Sequence, residues 1–366
     1  MKNSRLRPAR LALRTLTVAA LATTTLTAGS LSASAHSEHG RPQISDPIVD
    51  GLAGPLQIDV SKRGVLIGQS FSGNLSQVNW GGLHDLANLP GIDGVAWARN
   101  DSVVYTHTDF EMADANGVAQ AELRMFDRRG RISTLADLRE HEVTQNPDGS
   151  QSYGFQGLSA DCQAQLPPDE PLGPYTGLLD SHPYAIEWVG FGTVVADAGG
   201  NDILFVDGRG RVSTIAVLPP QGTTVTAEQA AAQGLPDCVA GATFNFEAVP
   251  TDVELGHDGS LYVSTLPGGP EDASLGARGS VYRVNAWSGR VKRVATGFLG
   301  ATNLAVAPNG TIYVAELFGN KISKVSRRGV STVVEVPNPA GLEWHRGRLF
   351  ATTDVFGSGK LVTVRP

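Results

Sequence analysis

The chain has 366 residues, with 29 Lys and Arg against 36 Asp and Glu, a formal net charge of −7 and 41% hydrophobic residues. Forty-three glycines, 21 prolines and a 7% aromatic content describe a chain of many turns and not of long helices. An acidic balance with no basic patch offers nothing to nucleic acid or to anionic lipid.

The first 35 residues read as an export signal. Lys2, Arg5, Arg7, Arg10 and Arg14 form a basic start, an Ala/Leu/Thr-rich stretch runs from Leu16 to about Leu31, and Ala33-Ser34-Ala35 makes a small-x-small cleavage site before His36. The apolar stretch is too short and too broken by Thr and Ser to span a membrane. No twin arginine precedes it, which favours general secretion. The exported chain is then about 330 residues with a charge of about −12, long enough for a large core. Residues 36–43 read as a flexible tail, where His36 and His39 are a weak copper-binding pattern. Cys162 and Cys238 are the only cysteines. In an oxidising compartment, such a pair is expected to form a disulfide.

From Ile44 onward the chain repeats itself. In the clearest copy Ala301-Thr302-Asn303-Leu304-Ala305-Val306 leads through Pro308-Asn309-Gly310 to Thr311-Ile312-Tyr313-Val314-Ala315-Glu316. Another runs from Pro250 to Leu255, through His257-Asp258-Gly259, to Leu261-Tyr262-Val263-Ser264-Thr265. The Asn-Gly and Asp-Gly steps predict antiparallel hairpins with type I′ turns. Four weaker copies begin at Pro55, Asp93, Pro183 and Pro339. The second half of the unit repeats as Gly130-Arg131-Ile132-Ser133-Thr134-Leu135, Gly210-Arg211-Val212-Ser213-Thr214-Ile215 and Gly329-Val330-Ser331-Thr332-Val333-Val334. Each unit is thus four short strands over roughly 38 residues in its tightest copy, near the length of a propeller blade. Six such units predict an all-β, six-bladed β-propeller over 44–366. The last unit lacks a full fourth strand, and the segment from Ile44 to Leu52 is expected to supply it and close the ring.

Two inserts interrupt the repeat, at about 139–181 and 219–248. The first carries Cys162 and the run Pro167-Pro168-Asp169-Glu170-Pro171; the second carries Cys238 and a helical turn over Ala227–Gln233. Both fall between an outermost strand and the next innermost one, so they emerge on one face on either side of the third unit. A Cys162–Cys238 disulfide between them is geometrically reasonable and would stabilise by roughly 4 kcal/mol in the chain-entropy model. Long inserts on one face of a scaffold carry function more often than not.

Aligning the six inner strands sets Ile58, Val95, Ile186, Val253, Leu304 and Leu342 in one position. The next position reads Asp59, Ala96, Glu187, Glu254, Ala305 and Glu343; the preceding one reads Gln57, Gly94, Ala185, Asp252, Asn303 and Gly341. With a period of two, these flanking positions share the face turned to the axis. Carboxylates converging there call for a bound cation such as calcium, for protonation, or for hydrogen bonds from adjacent strands. Asp197 and Glu316, each ahead of a Gly-Asn turn, read as turn acceptors. His182, beside Pro183, is a candidate acid–base group, although a lone histidine is more often a packing residue. No G-x-S-x-G elbow, H-E-x-x-H helix, P-loop or dinucleotide fingerprint occurs, which argues against those hydrolase, protease and nucleotide-binding classes.

At the level of the P-x-x-[IV]-x-[VLW]…G-x-[LI]-Y-V-[AS] rhythm, the chain resembles the ScyD/ScyE family of exported proteins over nearly all of its length past the signal. It is also similar to the wider superfamily of six-bladed propellers with NHL repeats, gluconolactonase-type lactonases and streptogramin B lyase. The lactonase resemblance implies a divalent metal held by inner-strand residues. Asp252 and Asn303 stand in or near such places, with Glu343 as a further candidate, while Gln57 occupies the place of an expected glutamate. Two functions follow as expectations. One is a secreted, monomeric module that binds a small molecule or protein at one face. The other is a metal-dependent lactonase or lyase.

Overall fold

The computed structural model describes residues 42–168 and 171–366; the export signal and the His36/His39 pattern lie outside them. The fold is all-β. Five four-stranded antiparallel sheets follow one another along the chain, each with its strands in sequence order. Their innermost strands are β1 (Pro55–Ser61), β2 (Ile92–Trp97), β3 (Pro183–Trp188), β4 (Pro250–Leu255) and β5 (Ala301–Val306). A sixth sheet starts with β6 (Leu342–His345) and continues through Arg348–Thr353 to Gly359–Arg365. Its outer partners come from the other end of the chain: Gln43–Ile44 and Val49–Leu52 both pair antiparallel with Gly359–Arg365.

The inner strands lie side by side in chain order, β1 against β2 and so on to β6, and β6 lies against β1. Ile58, Val95, Ile186, Val253, Leu304 and Leu342 are all buried between neighbouring sheets, as their shared register requires. Adjacent sheets bury a common apolar layer. Ala305, Tyr313 and Ala315 of the fifth, for example, pack on Leu342, Leu349 and Val362 of the sixth. Hydrogen bonds stitch the inner strands across these seams. Thr251 Oγ1 donates to Ala301 O at 2.8 Å, and Thr352 Oγ1 to Pro55 O at 2.7 Å.

The hairpin turns differ from the expected type. Of Pro308, Asn309 and Gly310 only Gly310 has positive φ, and of His257, Asp258 and Gly259 only Gly259. Gly310 N bonds Ala307 O and Ala307 N bonds Thr311 O, which makes a type I turn closed by a glycine bulge. Pro308 explains it: its ring holds φ near −65°, so a type I′ turn cannot form there. A turn with both central residues at positive φ occurs at Asn100 and Asp101.

The inserts differ too, and more deeply. Instead of two long loops they form a seventh sheet, in the order Tyr175–Thr176, Ser152–Gln156, Thr243–Phe246, Gln221–Thr224, shared between the two inserts. The first insert also carries helices α1 (Leu138–Gln145) and α2 (Ala160–Gln163); the second carries α3 (Ala227–Ala232), capped by a Thr226/Gln229 capping box. Cys162, packed in the small core of this sheet with Phe155, Val225, Ala230 and Val239, is joined by a disulfide to Cys238.

Candidate functional site

At one end of each sheet, the inner strand begins and the loop after the second strand turns over. This entry face carries the inserts, and the inner-strand polar residues descend from it in two layers.

The upper layer holds Gln57, Asp252 and Asn303, all buried. In five of the six sheets the inner strand has a register shift at its start, between Pro55 and Gln57, Pro250 and Asp252, and Ala301 and Asn303 among others. This re-aims the third residue. Asn303 Nδ2 donates to Gln57 Oε1 at 3.0 Å, and Asn303 Oδ1 accepts from Leu342 N at 2.9 Å. Gln57 Nε2 donates to Thr251 O at 3.2 Å, and Asp252 Oδ2 accepts from Leu304 N at 2.9 Å. Asp252 and Asn303 therefore tie β4 to β5 and β5 to β6, whereas Gln57 links β1 to the non-adjacent strands β4 and β5. Asn303→Ala would leave the Leu342 N–H and the Gln57 carbonyl buried without partners. It should cost about 1–3 kcal/mol in a urea melt, with the fold retained.

The lower layer holds Asp59, Glu187, Glu254 and Glu343. Asp59 accepts from Trp97 N, continuing the same pattern. Burial pushes Asp59 up to about 6, against the Trp97 bond and the Arg63 charge. Glu187 is pushed up to about 8 by burial and then by the charges of Asp59 and Asp252, and Asp252 to about 7 by burial. Glu254 and Glu343 are raised well above the ordinary carboxylate value by burial, and then by neighbouring charges: Glu343, Glu187, Asp252 and Asp59 for Glu254, and Asp59, Glu187 and Asp252 for Glu343. Of the three expected remedies for converging carboxylates, backbone hydrogen bonds serve Asp252 in the upper layer and Asp59 in the lower, and the raised pKa values favour the protonated form in both. Among the described residues, no group of three or more His, Cys, Asp or Glu side chains stands in metal-holding geometry. Asp252 and Asn303 share a layer, whereas Glu343 lies in the next one down.

His182 stands apart from this axis, at the start of β3. Its Nε2 lies 3.0 Å from Asp93 Oδ2 of β2, and both side chains are only partly exposed. Tyr184 and Phe110 meet the ring edge-on at 5.7 and 5.2 Å. Burial disfavours the imidazolium, but the Asp93 bond and the charges of Asp93, Asp197 and Asp180 outweigh it, so the pKa of His182 is raised. Asp93 fixes the proton on Nε2 and leaves Nδ1 as the free base. Asp197 supports the dyad from behind: Oδ1 accepts from His182 N, Gly199 N and Gly200 N, and Oδ2 accepts from Ser181 Oγ. Glu316 takes a different role from the expected turn acceptor, bonding Leu299 N and Ser323 Oγ.

Aromatic side chains line another part of the same face. Phe71, Phe356 and Phe318 follow the second strands of the first, sixth and fifth sheets and stack in a row, with centroids 6.4 Å apart at each step. Asp93, Phe110 and this row were not singled out from sequence. The loop positions of the phenylalanines, each just past a second strand, are the signal that repeat alignment could have given.

No family model matches the chain, and no curated protein matches it in sequence. Solved structures do match. A glucose dehydrogenase-type putative oxidoreductase from Thermus thermophilus is 17% identical with a TM-score of 0.54, covering 88% of this chain and 99% of its own. The PQQ-bound aldose sugar dehydrogenase of Streptomyces coelicolor is 12% identical with a TM-score of 0.54, covering 90% of this chain and 99% of its own. Virginiamycin B lyase from Staphylococcus aureus is 14% identical with a TM-score of 0.47, covering 89% and 99%. The class so defined is an all-β protein of propeller type, similar in fold to sugar dehydrogenases of that architecture. At such identities the likeness concerns fold alone. Among the described residues no helix is long and apolar enough to cross a membrane.

Proposed function

We propose that residues 44–366 are one six-bladed propeller, exported and closed by the N-terminal strands, that acts as an enzyme of lactonase or lyase type on a small molecule at the entry face. The cyclic neighbour order of β1 to β6 and the pairing of Val49–Leu52 with the last strand support the closed ring. The likeness to ScyD/ScyE proteins supports export, as does a disulfide, which persists in oxidising compartments.

The observation that carries the enzymatic reading is the His182–Asp93 dyad. A histidine with one nitrogen held by a carboxylate and the other free is arranged to take a proton. In this reading Nδ1 removes it from a water attacking a lactone carbonyl, or from a carbon next to a carbonyl in an elimination. The Phe71–Phe356–Phe318 row offers flat apolar surface for the ring of such a substrate. No step is assigned to a metal.

A pH-stat screen of lactones tests this. His182→Ala is expected to lower kcat/KM by about 10²–10⁴. With the His182 pKa raised, wild-type kcat/KM should climb with pH through a midpoint above 6.5, and Asp93→Asn should move that midpoint down. A second reading, a binding module without turnover, is favoured by one feature: the Gln57–Asn303–Asp252 layer is already tied into interstrand hydrogen bonds. Ligands that raise the melting temperature of wild type and His182→Ala alike, with no turnover of any, would decide for it.

A further inference from the structure

The first insert meets the third sheet through a group of buried side-chain oxygens, four of which have no donors. Asp202 is 1% exposed and neither of its carboxylate oxygens has a hydrogen-bond partner. Asp148 is also 1% exposed; its Oδ2 accepts from Tyr153 Oη at 2.9 Å and Asn201 Nδ2 at 3.0 Å, but its Oδ1 has no partner. Asn146 Oδ1, two residues earlier, is buried and unpartnered as well. Glu142, on the last turn of α1, is 3% exposed, and its one bond is a long 3.4 Å contact from Asp180 N to Oε1.

The space around two glycines sets these groups in two adjoining pairs, Glu142 with Asp202 and Asn146 with Asp148. A Cβ at Gly200 would lie 3.3 Å from Glu142 Oε2 and 3.4 Å from Asp202 Oδ1, so these oxygens flank the space that glycine leaves. A Cβ at Gly177 would lie 2.0 Å from Asp148 Oδ1, while Gly177 O accepts from Asn146 Nδ2. Among the described residues no Lys or Arg is within salt-bridge distance of any of the three carboxylates. Buried carboxylates are ordinarily paired or bound to a metal, because an isolated one is too costly to bury.

We propose that Glu142, Asp148 and Asp202 hold a divalent cation of calcium's size, with Asn146 Oδ1 as a neutral ligand, clipping the first insert to the third sheet. The donor set is all oxygen, mixes carboxylate with amide carbonyl, and comes partly from a loop, which suits calcium's high and flexible coordination number better than magnesium's strict octahedron. The carboxylates do not yet converge on one point, so binding requires a side-chain rotation, most simply of Glu142 at the end of its short helix. The site is distinct from the inner-strand layers around Asp252 and Asn303.

Titration of the EDTA-treated, dialysed protein with calcium and with terbium tests the proposal. One calcium should bind per chain and raise the melting temperature, and terbium should show luminescence sensitised by Tyr153, whose hydroxyl touches Asp148. Asp202→Asn and Glu142→Gln should each weaken calcium binding by tenfold or more, Tyr153→Phe should dim the terbium signal, and Asp252→Asn should leave the calcium titration unchanged. Asp202→Asn removes a buried carboxyl that has no donor, so it should fold without calcium and melt no lower than calcium-free wild type. Absence of any melting shift up to 10 mM calcium, about tenfold beyond the weak limit for extracellular calcium modules, would overturn the proposal. So would binding that survives Asp202→Asn but is lost in Asp252→Asn.

Discussion

Replacing Cys162 and Cys238 together by alanine is expected to destabilise the insert sheet by about 2–4 kcal/mol in the chain-entropy model. The bond closes a loop with a sequence separation of 76 residues and links the two inserts that build that sheet. Without it, the sheet rests on five-, four-, four- and two-residue strands and a core centred on Phe155, Val225, Ala230 and Val239. Such a unit is too small to be stable alone. Its strands pair only with each other, so the loss should be local. Calorimetry should split one transition into two, the early one belonging to the inserts. Limited proteolysis should then cut between Gln156 and Tyr175 well before any strand of the six large sheets. Cleavage in both regions at the same rate would mean that the inserts and the large sheets unfold as one unit.

The large sheets were legible because their signals are local and repeated. Alternating strands fixed the register of Ile58, Val95, Ile186, Val253, Leu304 and Leu342, and all six are buried as alignment required. The insert sheet was illegible for the opposite reason. Ser152–Gln156 pairs with Thr243–Phe246 across an interval of almost ninety residues, and neither strand is long enough to display a period. The His182–Asp93 contact is non-local in the same way, its members lying 89 positions apart. His182 was visible as a residue type beside a strand start, but its partner could be found only once β2 and β3 lay side by side. The carboxylates of the inner strands could be read as positions in the repeat. How each is satisfied depended on a recurring register shift that aims Asp252 and Asn303 at neighbouring backbone, and a shift of one residue leaves no mark in composition.

The inner-strand carboxylates also contribute to how stability depends on pH, in the same direction as Glu142 and Glu247, which burial pushes up to about 8 and 7. With EDTA present throughout, the melting temperature should be roughly 5 °C or more higher at pH 5.5 than at pH 8, a shift of the size a few kcal/mol produces in a chain this long. Asp59, Asp252 and Glu187 are pushed up to about 6, 7 and 8, and Glu254 and Glu343 are raised as well, from unfolded values of 3.8 for Asp and 4.5 for Glu. Between about pH 4.5 and 8 the folded chain therefore holds more protons than the unfolded one. The slope of unfolding free energy against pH follows protons bound unfolded minus protons bound folded, so it is negative here and stability falls as pH rises. Each proton of difference is worth about 1.4 kcal/mol per pH unit, and the five groups titrate as a coupled set rather than one by one. His182, raised as well, works in the same direction, since its contribution is full below 6.5 and fades above. Surface pairs oppose this only at lower pH: hydrogen bonds from Arg131 and Arg211 hold Asp127 and Asp207 at about 2, and what they contribute is lost as pH drops below about 4. Glu254→Gln separates the cause from any general charge effect. It removes one member of the Glu254–Glu343 pair without changing its shape, so it should flatten the pH slope and raise the melting temperature at pH 8 relative to wild type. An unchanged slope in that variant would place the pH dependence outside the inner-strand layer.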